Sequence, residues 1–147
     1  MKTDQQNPTA NRYKRTRDDH SREHAEDYVQ VIDSLIQERG KARVVDIAQR
    51  MAVSNVAVSR AMQRLQRDGL VMSEPYRSIF LTEQGKQLAD GARERHTLVQ
   101  SFLEAIGVPS AAADSDAEGI EHHIGQETLD AMRRFMERLR ASAGRVP

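Results

Sequence analysis

Between residues 23 and 82 the apolar residues spell out helix, short helix, tight connection, helix and hairpin, an order that few folds accept. Tyr28, Ile32, Leu35 and Ile36 recur at i, i+4, i+7 and i+8, the stripe of a helix that buries one face, and Gly40 is placed to stop it. Val44, Val45, Ile47, Ala48 and Met51 make a second, short helix. Ala52-Val53 is a tight connection, and Ser54 is a good N-cap for a third helix, NVAVSRAMQRLQRDG. In that helix Val58, Met62 and Leu65 line one face and Arg60, Arg64 and Arg67 another, with Gly69 to end it. LVMS and SIFL then read as two short strands around Glu74-Pro75-Tyr76-Arg77. The expected fold class is mainly α with a small β-hairpin wing, a winged helix-turn-helix domain over 23–82 followed by a helical domain over 83–141.

Downstream, Thr82 caps a long helix running towards Gly107, and its Leu98, Val99, Phe102, Leu103 and Ile106 cover more surface than packing within one chain requires. After VPSAAA, Ser115 opens a short helix ending near His123, and a last helix after Gly125 carries Leu129, Met132, Met136 and Leu139. Residues 1–22 lack periodic apolar positions and read as a flexible N-terminal tail, as 142–147 do at the other end. Apolar content is 38% and aromatic content 4%, thin for a chain of this size and suited to a core completed by dimerising. With no Cys, disulfides, thiolate catalysis and cysteine-based zinc or iron–sulfur sites are excluded. No stretch reads as a membrane span or a signal peptide, so a cytoplasmic location without a membrane partner is expected.

Lys plus Arg number 22 and Asp plus Glu 22, yet the zero sum hides an uneven distribution. Residues 41–77 hold Lys41, Arg43, Arg50, Arg60, Arg64, Arg67 and Arg77 against Asp46, Asp68 and Glu74, a net of +4. Residues 101–132 have no Lys or Arg and a net of −7. The basic segment suits double-stranded DNA. A helix entering the major groove needs small residues at its start and cations beside them for phosphates. Asn55, Ala57 and Ser59, with Ser54 before them, supply the first, Arg60, Arg64 and Arg67 the second, and Arg77 sits at the hairpin tip to touch phosphate or minor groove. The bland alternative is a winged helix used only for protein contacts, against which the arginine stripe speaks.

The acidic segment suits a cation. DAEGIEHH puts Glu118, Glu121 and His122 at i, i+3 and i+4, one face of a helix. Two carboxylates and an imidazole leave a divalent shell incomplete, so other segments must add ligands. Two plainer readings compete: Ser115-x-x-Glu118 is also a capping box, and adjacent histidines on an acidic helix can simply be solvated. Capping leaves Glu121 and His122 unexplained. His20-x-x-Glu23-His24 matches an inverted zinc-protease motif, but it lies in the polar tail with no core to build a cleft, so protease activity is not expected.

EDYVQVIDSLI, VDIAQRMAVS with AVSRAMQRLQRDGLV, FLTEQGK, ERHTLVQSFLEAIGV and DAEGIEHH together resemble the manganese-responsive branch of the diphtheria toxin repressor family. The resemblance covers about residues 24–140, and DAEGIEHH downstream of ERHxLxxxFL is its most specific part. It implies a homodimeric, Mn²⁺-activated DNA-binding regulator, a repressor of manganese uptake, with no small-molecule substrate. Fe²⁺ or Zn²⁺ would also bind in vitro. It also implies that the chain ends before the small β-barrel domain of many iron-sensing relatives. The metal ligands it implies are Asp27, His96, Glu118, Glu121 and His122. Where the iron-sensing relatives have Met and Cys, this chain has Asp27 and Glu118, which favours the harder Mn²⁺. Gln30 stands where the family has Glu, which implies a weakened outer metal position, with His20 or His24 as replacements if the tail folds back. Metal bonded to both domains would set the spacing of the two recognition helices. A helical di-metal carboxylate enzyme, or a metal buffer without DNA binding, is the alternative. The enzyme would need paired Glu-x-x-His motifs, and the chain has none.

Overall fold

The computed structural model describes residues 8–73 and 78–144. The described elements run α1 (Pro8–Arg39), α2 (Val44–Met51), α3 (Asn55–Arg67), β1 (Val71–Met72), β2 (Phe80–Leu81), α4 (Glu83–Ala105), α5 (Ser110–Ile120) and α6 (Gln126–Ala143). The contacts divide into two compact units. One comprises His24–Glu94, and the other joins the residues up to Glu23 to those from Arg95 onward.

The unit of His24–Glu94 has one core, in which Tyr28, Ile32 and Leu35 from α1 meet Ile47, Ala48, Val58, Ala61, Met62, Leu65, Val71 and Ile79. The α2–α3 connection turns at Ala52, whose φ of 55° is left-handed, and Val53 N–H closes it on the Ala48 carbonyl at 3.0 Å. β1 and β2 pair antiparallel, Val71 opposite Leu81 and Met72 opposite Phe80, and an isolated bridge joins Ala42 to Ile79. Thr82 does two jobs at the entry to α4: its hydroxyl donates to the Gly69 carbonyl at 2.6 Å and accepts from Gly85 N–H at 3.1 Å. Gly85 packs so tightly on the Leu70 carbonyl that no Cβ fits there. Asp33, 4% exposed, takes Lys86 Nζ at 2.9 Å and Arg93 Nη2 at 2.6 Å, tying α1 to α4.

The other unit is thinner. Val99, Ala117 and Leu129 form its buried apolar cluster, with Leu98, Leu103, Ile124 and Met132 partly covered around it. Phe102 and Phe135 meet edge to face at 5.4 Å. Ile106 and Leu139 stay 57% and 44% exposed. Among the described residues no helix is long and apolar enough to cross a membrane.

Three local expectations are corrected. Residues 8–22 are not an irregular tail but the leading half of α1. This stretch is exposed nearly throughout, so it carries no apolar stripe. It continues a helix already nucleated and packed further on, which costs little. Pro8 suits a first turn, and Asp19 pairs with Arg22 at 2.7 Å and Arg15 at 3.7 Å. Next, α5 begins at Ser110, so Ser115 lies inside a helix and forms no capping box with Glu118. The start is set by Pro109, whose carbonyl accepts from Ala113 N–H at 2.9 Å, and by alanines whose helix preference shows no apolar period. Finally, α5 stops at Ile120, and Glu121, His122 and His123 lie in the turn that follows.

Candidate metal centre and nucleic-acid interface

Helix α3 has two faces. Val58, Ala61, Met62 and Leu65 are buried, while Asn55, Ser59, Arg60, Arg64 and Arg67 are exposed and Ala57 is half-buried. Ser54 anchors the start, its Oγ accepting from Ala57 N–H at 3.1 Å. A capped first turn of small side chains followed by exposed guanidinium groups is what entry into a major groove requires. Arg77, expected at the wing tip, lies outside the described residues.

The cation-binding candidates converge from α4, α5 and the turn after it. His96 Nδ1 lies 2.7 Å from Glu121 Oε2 and 3.5 Å from Glu118 Oε2. One ligand atom from each of these three residues lies within 4.8 Å of the others. The Glu121 side chain is fully buried and the His122 side chain 1% exposed, with Nε2 of His122 3.3 Å from Glu121 Oε1. Arg95 Nε holds the turn by donating to the Glu121 backbone carbonyl at 3.0 Å. Taking a carboxylate out of water costs several kcal/mol unless positive charge answers it. Burial pulls the His96 pKa down, but Asp114, Glu121 and Glu118 outweigh it, and the net shift is upward. The pocket therefore draws positive charge to one point. Two carboxylates and an imidazole, with no sulfur, fit a hard to borderline divalent cation.

Of the ligands expected from the sequence, His96, Glu118 and Glu121 come together, and His122 joins Glu121. Asp27 and Gln30 lie one turn apart on α1 in the unit of His24–Glu94, both half-buried. Asp114 was not foreseen. Its Oδ1 meets His96 Nε2 at 2.8 Å. The signal was present in the spacing: Asp114 precedes Glu118 by four residues, one turn of the same helix.

Comparison with known proteins separates the chain in the same order. Residues 21–79 match the model of the iron dependent repressor N-terminal DNA binding domain. Residues 82–143 match the iron dependent repressor metal binding and dimerisation domain. The chain is 45% identical over 126 residues to the transcriptional regulator MntR of Escherichia coli O6:H1, covering 86% of this chain and 81% of the relative. It is 44% identical over 131 residues to MntR of Salmonella typhimurium, covering 89% and 83%. Among solved structures, a manganese-dependent transcriptional repressor in complex with manganese aligns with a TM-score of 0.68 at 27% identity. That alignment covers 77% of this chain and 52% of the other, so the chain spans about half the length of the structure it matches. On the matched domains and the identity to these regulators, the chain belongs to the iron-dependent repressor family, in its MntR-type branch of transcriptional regulators.

Proposed function

We propose that this chain is a Mn²⁺-activated repressor that binds operator DNA as a homodimer in the cytoplasm. On this reading residues 23–82 bind DNA, and residues 83–141 bind metal and dimerise. The observation that carries it is the gathering of His96, Glu118 and buried Glu121 from separate stretches of chain, in a protein that also presents the arginine face of α3. The ligands are Asp27, His96, Glu118, Glu121 and His122, with Gln30 a neutral and weaker donor than a carboxylate. A bound divalent cation would supply positive charge to the −7 segment and a tie between α1 and the α5 turn. Mn²⁺ is favoured by oxygen donors, though Fe²⁺ and Zn²⁺ fit the same set in vitro.

The chain's own residues do the rest. Ser54, Asn55, Ala57 and Ser59 enter the groove, while Arg60 and Arg64 take phosphates, with Arg77 at the wing. In a dimer the two copies of α3 must stand about 34 Å apart to meet successive major grooves. Exposed Ile106 and Leu139 support a dimer, since a partner would cover apolar surface left open by one chain. The regulators it resembles do not favour the reading as a di-metal enzyme.

A DNA shift assay across Mn²⁺, Fe²⁺ and Zn²⁺ tests the proposal. His122→Ala should lose Mn²⁺-dependent DNA binding while remaining a dimer, and Arg60→Ala should weaken DNA binding while keeping metal. If His122→Ala still responds to Mn²⁺, the ligand assignment is wrong. Coupling of about 10- to 100-fold between metal and operator is the size expected of an allosteric switch.

A further inference from the structure

We propose that His20, Glu23 and His123 form a zinc-binding site distinct from the His96 cluster. His20 and Glu23 stand one turn apart on the leading half of α1, and His123 reaches them from the turn after α5. One oxygen, Glu23 Oε2, lies 3.3 Å from His20 Nδ1 and 2.8 Å from His123 Nε2. The two imidazoles meet edge to face with centroids 5.0 Å apart. One donor atom from each residue lies within 4.8 Å of the others. Donors about 2.0–2.1 Å from a tetrahedral zinc are themselves about 3.3 Å apart, so small side-chain adjustments suffice to seat the ion.

The surroundings are those of a built site. Asp19, 8% exposed, places Oδ2 3.9 Å from His123 Nδ1, the ring nitrogen turned away from Glu23. That separation is too long for a hydrogen bond, so Asp19 adds negative charge behind the ring, which favours a cation at the site, without fixing the ring's orientation. Arg22 holds Asp19 at 2.7 Å and donates to the His122 backbone carbonyl at 3.3 Å, locking α1 to the turn that carries His123. The His20, Glu23 and His123 side chains are 62%, 30% and 33% exposed, so an ion can enter and solvent can complete its shell. Two imidazoles and one carboxylate are a softer set than the carboxylate-rich His96 cluster, and they select Zn²⁺ over Mn²⁺. The inference does not depend on the proposed function.

Calorimetric titration of the full-length protein with Zn²⁺ tests it, comparing wild type, His20→Ala, His123→Gln and Glu121→Gln. Wild type should bind one more Zn²⁺ per subunit than His20→Ala, or bind that equivalent at least about tenfold more tightly. His123→Gln should lose the same equivalent, and Glu121→Gln should keep it. Equal Zn²⁺ stoichiometry and affinity in wild type and His20→Ala would mean that these contacts are only hydrogen bonds, and the site falls. Failure of Glu121→Gln to alter any metal binding would overturn the His96 cluster alone.

Discussion

At the scale of single residues, two positions show where local chemistry is under tension. Asp33 is a buried carboxylate between two cations. Burial pushes its pKa up, but the bonds from Arg93 and Lys86 outweigh this and hold it below its ordinary 3.8. A carboxyl whose pKa is depressed by folding stabilises the folded state above its unfolded pKa, and that contribution fades as pH falls through the folded value. Asp33→Asn should therefore cost about 1.5–3 kcal/mol at neutral pH, as hydrogen bonds to charged groups do. The loss should shrink below about pH 4, as chemical denaturation across pH would show. Ala52 is the opposite case. Its left-handed backbone costs a residue with a Cβ about 1–2 kcal/mol, and glycine avoids that cost. Ala52→Gly should raise stability by about 0.5–1 kcal/mol after glycine's extra unfolded entropy is subtracted, seen as a higher urea midpoint at unchanged slope.

At the scale of elements, the helices divide by what starts them. α3 and α4 begin at side-chain caps, Ser54 and Thr82, which a short window of sequence displays. The leading half of α1 shows no such marker, and in α5 Ser115 resembles a cap although the helix starts five residues earlier without a side-chain cap. α1 continues outward from its packed turns on polar residues, and α5 starts on alanines behind Pro109. The packing of α4 depends on a missing side chain. Gly85 lets the first turn lie on the Leu70 carbonyl, so Gly85→Ala should destabilise by about 1–3 kcal/mol through overpacking. Thermal melting would register it, and an unchanged melting temperature would show that the turn can move aside.

At the scale of the whole molecule, the charge imbalance becomes an arrangement of two functions. The acidic segment gathers carboxylates around His96, and the basic one lines α3 with arginine. Each half is incomplete alone. The small apolar cluster around Val99, Ala117 and Leu129 leaves Ile106 and Leu139 open, which is the condition for a second copy to bind. Leu139→Glu should shift the protein from dimer towards monomer in analytical ultracentrifugation, and reduce operator affinity without reducing metal binding to the His96 cluster. An unchanged dimer would move the interface off α6.

Residue order alone sets whatever is decided within a few turns of chain: the α1 stripe, the capped third helix, the hairpin and the end of α1 at Gly40. Apolar period, caps and glycine placement act through neighbouring residues, so a linear pattern contains them. Of the candidate ligands, spacing alone points to Glu118, Glu121 and His122, while Asp27 and His96 enter only through the family resemblance. Tertiary structure decided that His96 meets Asp114 as well as Glu121, and that His123 turns to Glu23 instead of solvent. Those contacts join residues 18 and 100 positions apart. Their partners are chosen by how helices pack, and a carboxylate carries no mark in the sequence of the imidazole it will face.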